Sequence, residues 1–178
     1  STENWKRTAE EVSFIMGLVK RYLSAELAFF KENHIRIRHA GDMETLPPDI
    51  ADELRSVCAE TAAFPGLSVI LALNYGGRNE LVRAVKRMLG EQAADGLKPD
   101  RITEEYISAR LDNPDVPDPD LIIRTAGEFR TSNFLLWEAA YAEYYISDKL
   151  WPDWTTEDLE EAIQVYMNRD RRFGGVRQ

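Results

Sequence analysis

Cysteine is nearly missing from this sequence: Cys58 stands alone in 178 residues. That excludes an internal disulfide and a cysteine-rich metal cluster, and it fits a reducing compartment. Long apolar runs are missing too, with none near the roughly 18 residues a membrane-spanning helix needs. No signal peptide is visible. Any membrane role is therefore expected through a lipid substrate or peripheral contact. Positive charge is scarce, with 22 Lys and Arg against 31 Asp and Glu and a net charge of −9. Such a surface argues against a nucleic-acid binder, so phosphate chemistry would need a local cluster of arginines. A starting Met is also missing: the first residues are "STENWKR". The sequence is expected to be a piece of a longer protein.

What is present is ordinary for a globular chain. Hydrophobic residues make up 44% and charged residues 30%. The length suits one compact domain with a core of useful size.

Thr8 and Glu11 have the spacing of a capping box. The apolar pattern Val12, Ile15, Met16, Val19, Leu23, Leu27, Phe30 then predicts a long amphipathic helix from about Thr8 to Asn33. "HIRIRHAG" alternates as a short strand that turns at Gly41, and residues 49–63 read as a helix after Pro47 and Pro48. "GLSVILALNYGG" is a continuous apolar run, the pattern of a strand covered on both faces. Asn79 is expected to cap a helix reaching about Ala94. After the Pro/Asp-rich loop "DNPDVPDPD" come a strand at 121–125, a helix at 132–142 and a last strand at 144–147. Thr155 caps a final helix to Asn168, with Leu159, Ile163 and Tyr166 on its inner face. Strands alternating with helices predict an α/β fold: one layered domain over residues 1–178, with a largely parallel central sheet and helices on both faces.

The stretch "LIIRTAGEFRTSNFLLWEAAYAE" (121–143) carries the chemistry. Ligands of open parallel sheets sit where strands end and helices begin. A helix starting near Ser132 would offer free N–H groups and a positive dipole end to an anion. Arg124 and Arg130 add guanidinium forks suited to phosphate oxygens, and Ser132 adds a hydroxyl. Gly127 would let the backbone approach the ligand. Together these residues describe a diphosphate pocket. The plainer alternative pairs either arginine with Glu128, Asp120 or Glu143.

The segment Asp120–Glu143 resembles the signature of the cis-prenyltransferases. "WPDWTTEDLEEAIQVYMNRDRRFGG" (151–175), "STENWKR" (1–7) and "NYGGR" (74–78) are similar to the same family's patterns, so the resemblance covers nearly the whole chain. It implies condensation of isopentenyl diphosphate onto an allylic diphosphate, usually farnesyl diphosphate. The product would be a long-chain, undecaprenyl-type diphosphate for envelope glycan synthesis, made with Mg2+ by a cytoplasmic homodimer that meets the inner membrane face peripherally. By the same resemblance, Arg124, Arg130 and Ser132 hold the diphosphate of isopentenyl diphosphate, with Thr131 contributing through its backbone. Glu143 is the Mg2+ ligand. Ser1, Thr2, Glu3, Trp5 and Arg7 surround the substrates, and Asn4 is the catalytic residue. An amide oxygen is a poor base, so Asn4 is read as orienting the proton path while a diphosphate oxygen takes the proton. Trp5 reads either as an aromatic staple before the helix or as an apolar wall beside the allylic chain. Glu11 stays outside the site, as the partner of Thr8. Arg169, Arg171 and Arg172 before Gly174 and Gly175 form a basic helix end with a glycine stop. The resemblance adds that Arg172-Phe173-Gly174 reaches across a dimer interface to the partner's diphosphate.

Two departures qualify the transfer. The family's Asp-Gly-Asn-Gly-Arg-Trp loop, which holds the allylic diphosphate and supplies an essential aspartate, is not in this sequence. A chain without it is expected to turn over negligibly by itself. Phe129 also stands where some members carry a His associated with the metal. Two other functions compete: a non-catalytic partner subunit of a longer prenyltransferase, and a phosphate-binding α/β module with another substrate. Leu23, Leu67 and Val69 read as core residues before they read as a tunnel lining.

Overall fold

A computed structural model describes residues 1–91 and 98–169, which fall into two compact units, residues 1–116 and 117 onward. The fold is α/β with parallel strands. The strands pair two by two, one pair in each unit.

In the first unit, a 3-10 turn over Asn4–Lys6 leads into helix α1 (Ala9–Glu32). Thr8 caps it, its Oγ1 accepting from the N–H of Glu11 at 3.3 Å. Strand β1 (Arg36–Ala40), helix α2 (Pro48–Thr61) and strand β2 (Ser68–Ala72) follow as a β–α–β unit, with Pro48 opening α2 where its missing N–H costs nothing. β1 and β2 run parallel, Arg36 opposite Ser68 and Ala40 opposite Ala72. The core lies between α1, α2 and β1, where Leu23, Ile37, Leu46, Ala51, Leu54 and Val57 are buried together. Fully buried Thr61 joins two elements: its hydroxyl accepts from the N–H of Ile37 at 3.0 Å and donates to the carbonyl of Val57 at 2.9 Å. Leu23 and Val69 serve the core as expected, whereas Leu67 is exposed. β2 is half-buried along most of its length, less covered than its apolar run suggested.

Helix α3 (Gly77–Glu91) starts two residues before Asn79. Asn79 is therefore not its cap; its side-chain oxygen accepts from Arg83. The expected extension to Ala94 lies outside the described residues. A short helix α4 (Glu104–Ser108), capped by Thr103, was not anticipated.

In the second unit, β3 (Leu121–Arg124) and β4 (Glu143–Ile146) pair in parallel, and helix α5 (Thr156–Met167) packs on β4. Thr155 and Asp158 close a capping box at its start, with the Thr155 N–H 2.9 Å from the Asp158 carboxylate. The inner face of α5 differs from expectation: Ala162 is buried, while Leu159 and Ile163 are exposed.

The helix expected at 132–142 does not form. Ser132, Asn133 and Leu135 have φ of 49°, 61° and 46°, a left-handed backbone that cannot propagate a right-handed helix. Only a 3-10 turn at Glu138–Tyr141 remains. Glu143 accordingly opens β4 instead of ending a helix. Among the described residues no helix is long and apolar enough to cross a membrane.

Candidate functional site

The arginine turn lies at the C-terminal end of β3. The chain leaving β3 is tied to the chain leaving β4 by three main-chain bonds: Ser147 N–H to Arg124 O at 2.8 Å, Gly127 N–H to Ser147 O at 2.9 Å, and Ala126 N–H to Lys149 O at 2.8 Å. Ala126 and Gly127 both have positive φ, 63° and 64°. At Gly127 an added Cβ would lie 3.1 Å from the Asp148 carboxylate, so glycine suits both the torsion and the space. These bonds fix the backbone from which Arg124 projects.

Arg124, Arg130 and Thr131 line one hollow of about 250 Å3, with Ile122, Ile123, Phe134 and Tyr144 as its remaining walls. Arg124 donates to Ser132 Oγ at 3.3 Å. Its Nε is buried with no hydrogen-bond partner in the structure, and an unpaired buried donor costs stability, which makes it a candidate for a ligand contact. Arg130 is exposed and pairs with Glu128, the plainer alternative the sequence allowed. That pair is solvent-accessible on both sides, so a competing anion meets little resistance. The anion-binding helix terminus is replaced by side-chain donors on an irregular loop. Ser132, Asn133 and Leu135 hold its strained left-handed turns, and such strain gathers where a loop is shaped for a ligand. Phe134 and Tyr144 complete the lining, and no pattern in the sequence marks either as a site residue.

Glu143 is in the same unit, its N–H bonded to the carbonyl of Asp120 at 2.9 Å. Its carboxylate is ion-paired with Arg169 at 2.5 Å, and Arg169 also donates to Tyr144 O at 3.0 Å. Among the described residues no group of three or more His, Cys, Asp or Glu side chains is placed to hold a metal ion. Phe129 is 85% exposed. Arg172 and Gly174 lie outside the described residues, as do Arg171, Phe173 and Gly175.

The opening segment belongs to the first unit. Ser1, Asn4 and Trp5 line a small hollow of about 50 Å3 with Val12, Ile15, Met16, Leu73 and Asn74. Asn4 is half-buried, and its main chain closes the 3-10 turn, its N–H on Ser1 O and its carbonyl accepting from Arg7, each at 3.0 Å. Thr2 donates from its backbone to Tyr75 O at 3.0 Å, and Glu3 from its own to Ser1 Oγ at 3.1 Å. Arg7 lines a broader groove with Trp5, Val12, Met16 and Lys20. Trp5 is not enclosed as a core aromatic would be. It stays 39% exposed, and its indole N–H donates to Asn74 Oδ1 at 2.6 Å.

Comparison with known proteins matches the chain to one family. Residues 1–174 match the prenyltransferase model described as "Putative undecaprenyl diphosphate synthase". An isoprenyl transferase of Treponema denticola is 51% identical over 99% of this chain and 75% of its own length. One from Rhizobium meliloti is 48% identical over the whole chain and 72% of its own length. Among solved structures, lavandulyl diphosphate synthase from Lavandula x intermedia, in complex with dimethylallyl diphosphate, superposes with a TM-score of 0.92. It is 33% identical, over 97% of this chain and 75% of that one. A Campylobacter jejuni structure described as a "probable undecaprenyl diphosphate synthase" gives 0.87 at 38% identity, over 97% and 79% of the two chains. With its model matched from end to end of the described residues, and half of its positions shared with a relative, this chain belongs to the cis-prenyltransferase family.

Proposed function

We propose that this chain takes part in cis-prenyl chain elongation, joining isopentenyl diphosphate to an allylic diphosphate such as farnesyl diphosphate to build a long-chain polyprenyl diphosphate. The observation that carries the reading is the hollow at the end of β3, where Arg124 and Arg130 converge with Thr131 and Ser132 is bonded to Arg124. Two guanidinium groups present planar forks that match diphosphate oxygens, and each charge-assisted bond is stronger than a neutral one. The walls supplied by Ile122, Ile123 and Phe134 suit a short hydrocarbon head better than a sugar or base. The lavandulyl synthase complex contains an allylic diphosphate, which supports this ligand class.

In this reading Arg124, Arg130 and Ser132 grip the diphosphate of isopentenyl diphosphate, with Thr131 adding a backbone contact. Arg130 exchanges Glu128 for the ligand. Ser1, Thr2, Glu3, Trp5 and Arg7 bind substrate. Asn4 orients the proton path, and a diphosphate oxygen takes the proton. Glu143 is a hard oxygen donor of the kind Mg2+ takes together with substrate phosphate oxygens, and Arg169 must release its carboxylate for that to happen. When bound, Mg2+ would stabilise charge developing on the leaving diphosphate. The enzyme works as a homodimer in the cytoplasm, at the membrane's inner face.

Calorimetric titration tests the reading. Isopentenyl diphosphate should bind saturably while a nucleoside diphosphate does not. Binding of the nucleotide alone would replace this function with that of a generic phosphate module.

A further inference from the structure

The "NYGGR" stretch has no role in the diphosphate grip, yet its first residue is tied to the opening segment. Asn74 follows β2 with φ of 52°, a left-handed torsion that Asn tolerates better than most residues. It is 5% exposed. Its side chain makes three bonds. Nδ2 donates to Asp42 O at 2.8 Å and to Thr45 Oγ1 at 2.7 Å, and Oδ1 accepts from Trp5 Nε1 at 2.6 Å. A carbonyl can only accept, so the Asp42 contact dictates which way the amide faces and turns its oxygen toward the indole.

The turn that carries Asn74 is itself held firmly. Its carbonyl accepts from Asp42 N–H at 3.0 Å, and the next carbonyl, of Tyr75, accepts from Thr2 N–H at 3.0 Å. The buried Tyr75 hydroxyl bonds to the carboxylate of Glu80, and Glu80 accepts from the N–H of Asp112 at 3.0 Å. Asp112, paired with Arg83 and Arg87, accepts in turn from the N–H of Gly41 at 2.8 Å. A Cβ at Gly41 would sit 2.0 Å from Leu73 O, so the two segments meet at backbone contact. Trp5 differs: it lies on a 3-10 turn of three residues and is partly exposed, so packing alone does not settle where its ring lies.

We propose that Asn74 is a positioning residue: its preset side-chain oxygen fixes the Trp5 indole, and with it the floor of the hollow shared by Ser1, Asn4 and Trp5, in the place prenyl diphosphate binding requires. The step from ring position to substrate rests on the function proposed above; the step from Asn74 to Trp5 does not. Losing a bond of this kind should cost about tenfold in affinity.

The test uses the whole 15N-labelled chain, whose four tryptophans each give an indole N–H signal; Trp5→Phe identifies the one from Trp5. In Asn74→Gly, which keeps the torsion and deletes the amide, the Trp5 signal should shift and exchange with solvent about tenfold faster or more, while the other three stay in place. Thr45→Val, which removes one anchor of the amide and leaves both partners intact, should shift the same signal. Asn74→Asp, which replaces the donor Nδ2 with an acceptor facing the Asp42 carbonyl, should lose protection as Asn74→Gly does. Farnesyl diphosphate affinity should fall about tenfold in Asn74→Gly and in Trp5→Phe, and no further in the double variant. A Trp5 signal unmoved in both Asn74→Gly and Thr45→Val overturns the proposal. So does a displaced indole with unchanged affinity. A wild-type chain that binds no prenyl diphosphate sinks the functional reading instead, and the indole signals alone then decide whether Asn74 positions Trp5.

Discussion

Arg124 reaches Ser132 across 3.3 Å although they stand eight positions apart, with left-handed backbone at Ala126 and Gly127 between them and at Ser132 itself. The hydroxyl holds the guanidinium through Nη2, while the buried Nε has no partner. Ser132→Ala should therefore weaken isopentenyl diphosphate binding by roughly 1.5–3 kcal/mol, the ordinary worth of a hydrogen bond to a charged group. Calorimetry reads the change, and an unaltered dissociation constant would remove Ser132 from the site.

The Arg130–Glu128 pair distinguishes a structural arginine from one available to ligand. Both side chains are accessible, at 62% and 36%, and exposed pairs contribute about 1 kcal/mol or less. Glu128→Gln should change the unfolding free energy, read by chemical denaturation, by no more than about 1 kcal/mol. A larger loss would show that the pair holds the loop together.

Packing rules were legible in the letters. The 3.6-residue pattern from Val12 to Phe30 became α1 and buried Leu23, and the alternation around Ile37 became β1 with Ile37 fully enclosed. Thr155 and Thr8 cap where their spacing suggested. The region 132–142 misled because "NFLLWEAAYA" has helix-compatible residues throughout. Its outcome is decided by left-handed torsions at Ser132, Asn133 and Leu135, which periodicity cannot show. For the site, clustered arginines and a serine were enough to bring Arg124, Arg130 and Ser132 together. Tyr144 on the neighbouring strand, and the bond from Trp5 to Asn74 across 69 positions, depend on tertiary pairing and leave no local trace.

Leu54 tests the core. It is fully buried between α2 and its neighbours, so Leu54→Ala should destabilise the first unit by about 2–5 kcal/mol. Chemical denaturation measures this, and a loss under 1 kcal/mol would mean the site collapses or was never packed.

His39 gives the pH dependence. Burial holds its imidazole below the ordinary value of 6.5, although its ring nitrogen lies 2.9 Å from Leu73 O and Asp112 and Asp42 favour its charged form. The unfolded chain therefore binds the proton more readily than the folded one. Stability is complete above about pH 6.5 and declines as the pH falls below it. His39→Gln should flatten that slope in urea denaturation measured from pH 7.5 downward in about half-unit steps. A wild-type midpoint that rises on acidification would contradict the assignment.

The central claim is that guanidinium groups at the end of β3 hold a prenyl donor by its diphosphate, and the affinity of Arg124→Ala for isopentenyl diphosphate tests it most directly. Loss of a charge-assisted contact worth about 1.5–3 kcal/mol predicts binding weaker by roughly 10- to 150-fold, with the fold unchanged by circular dichroism. Affinity equal to that of the parent chain would contradict it.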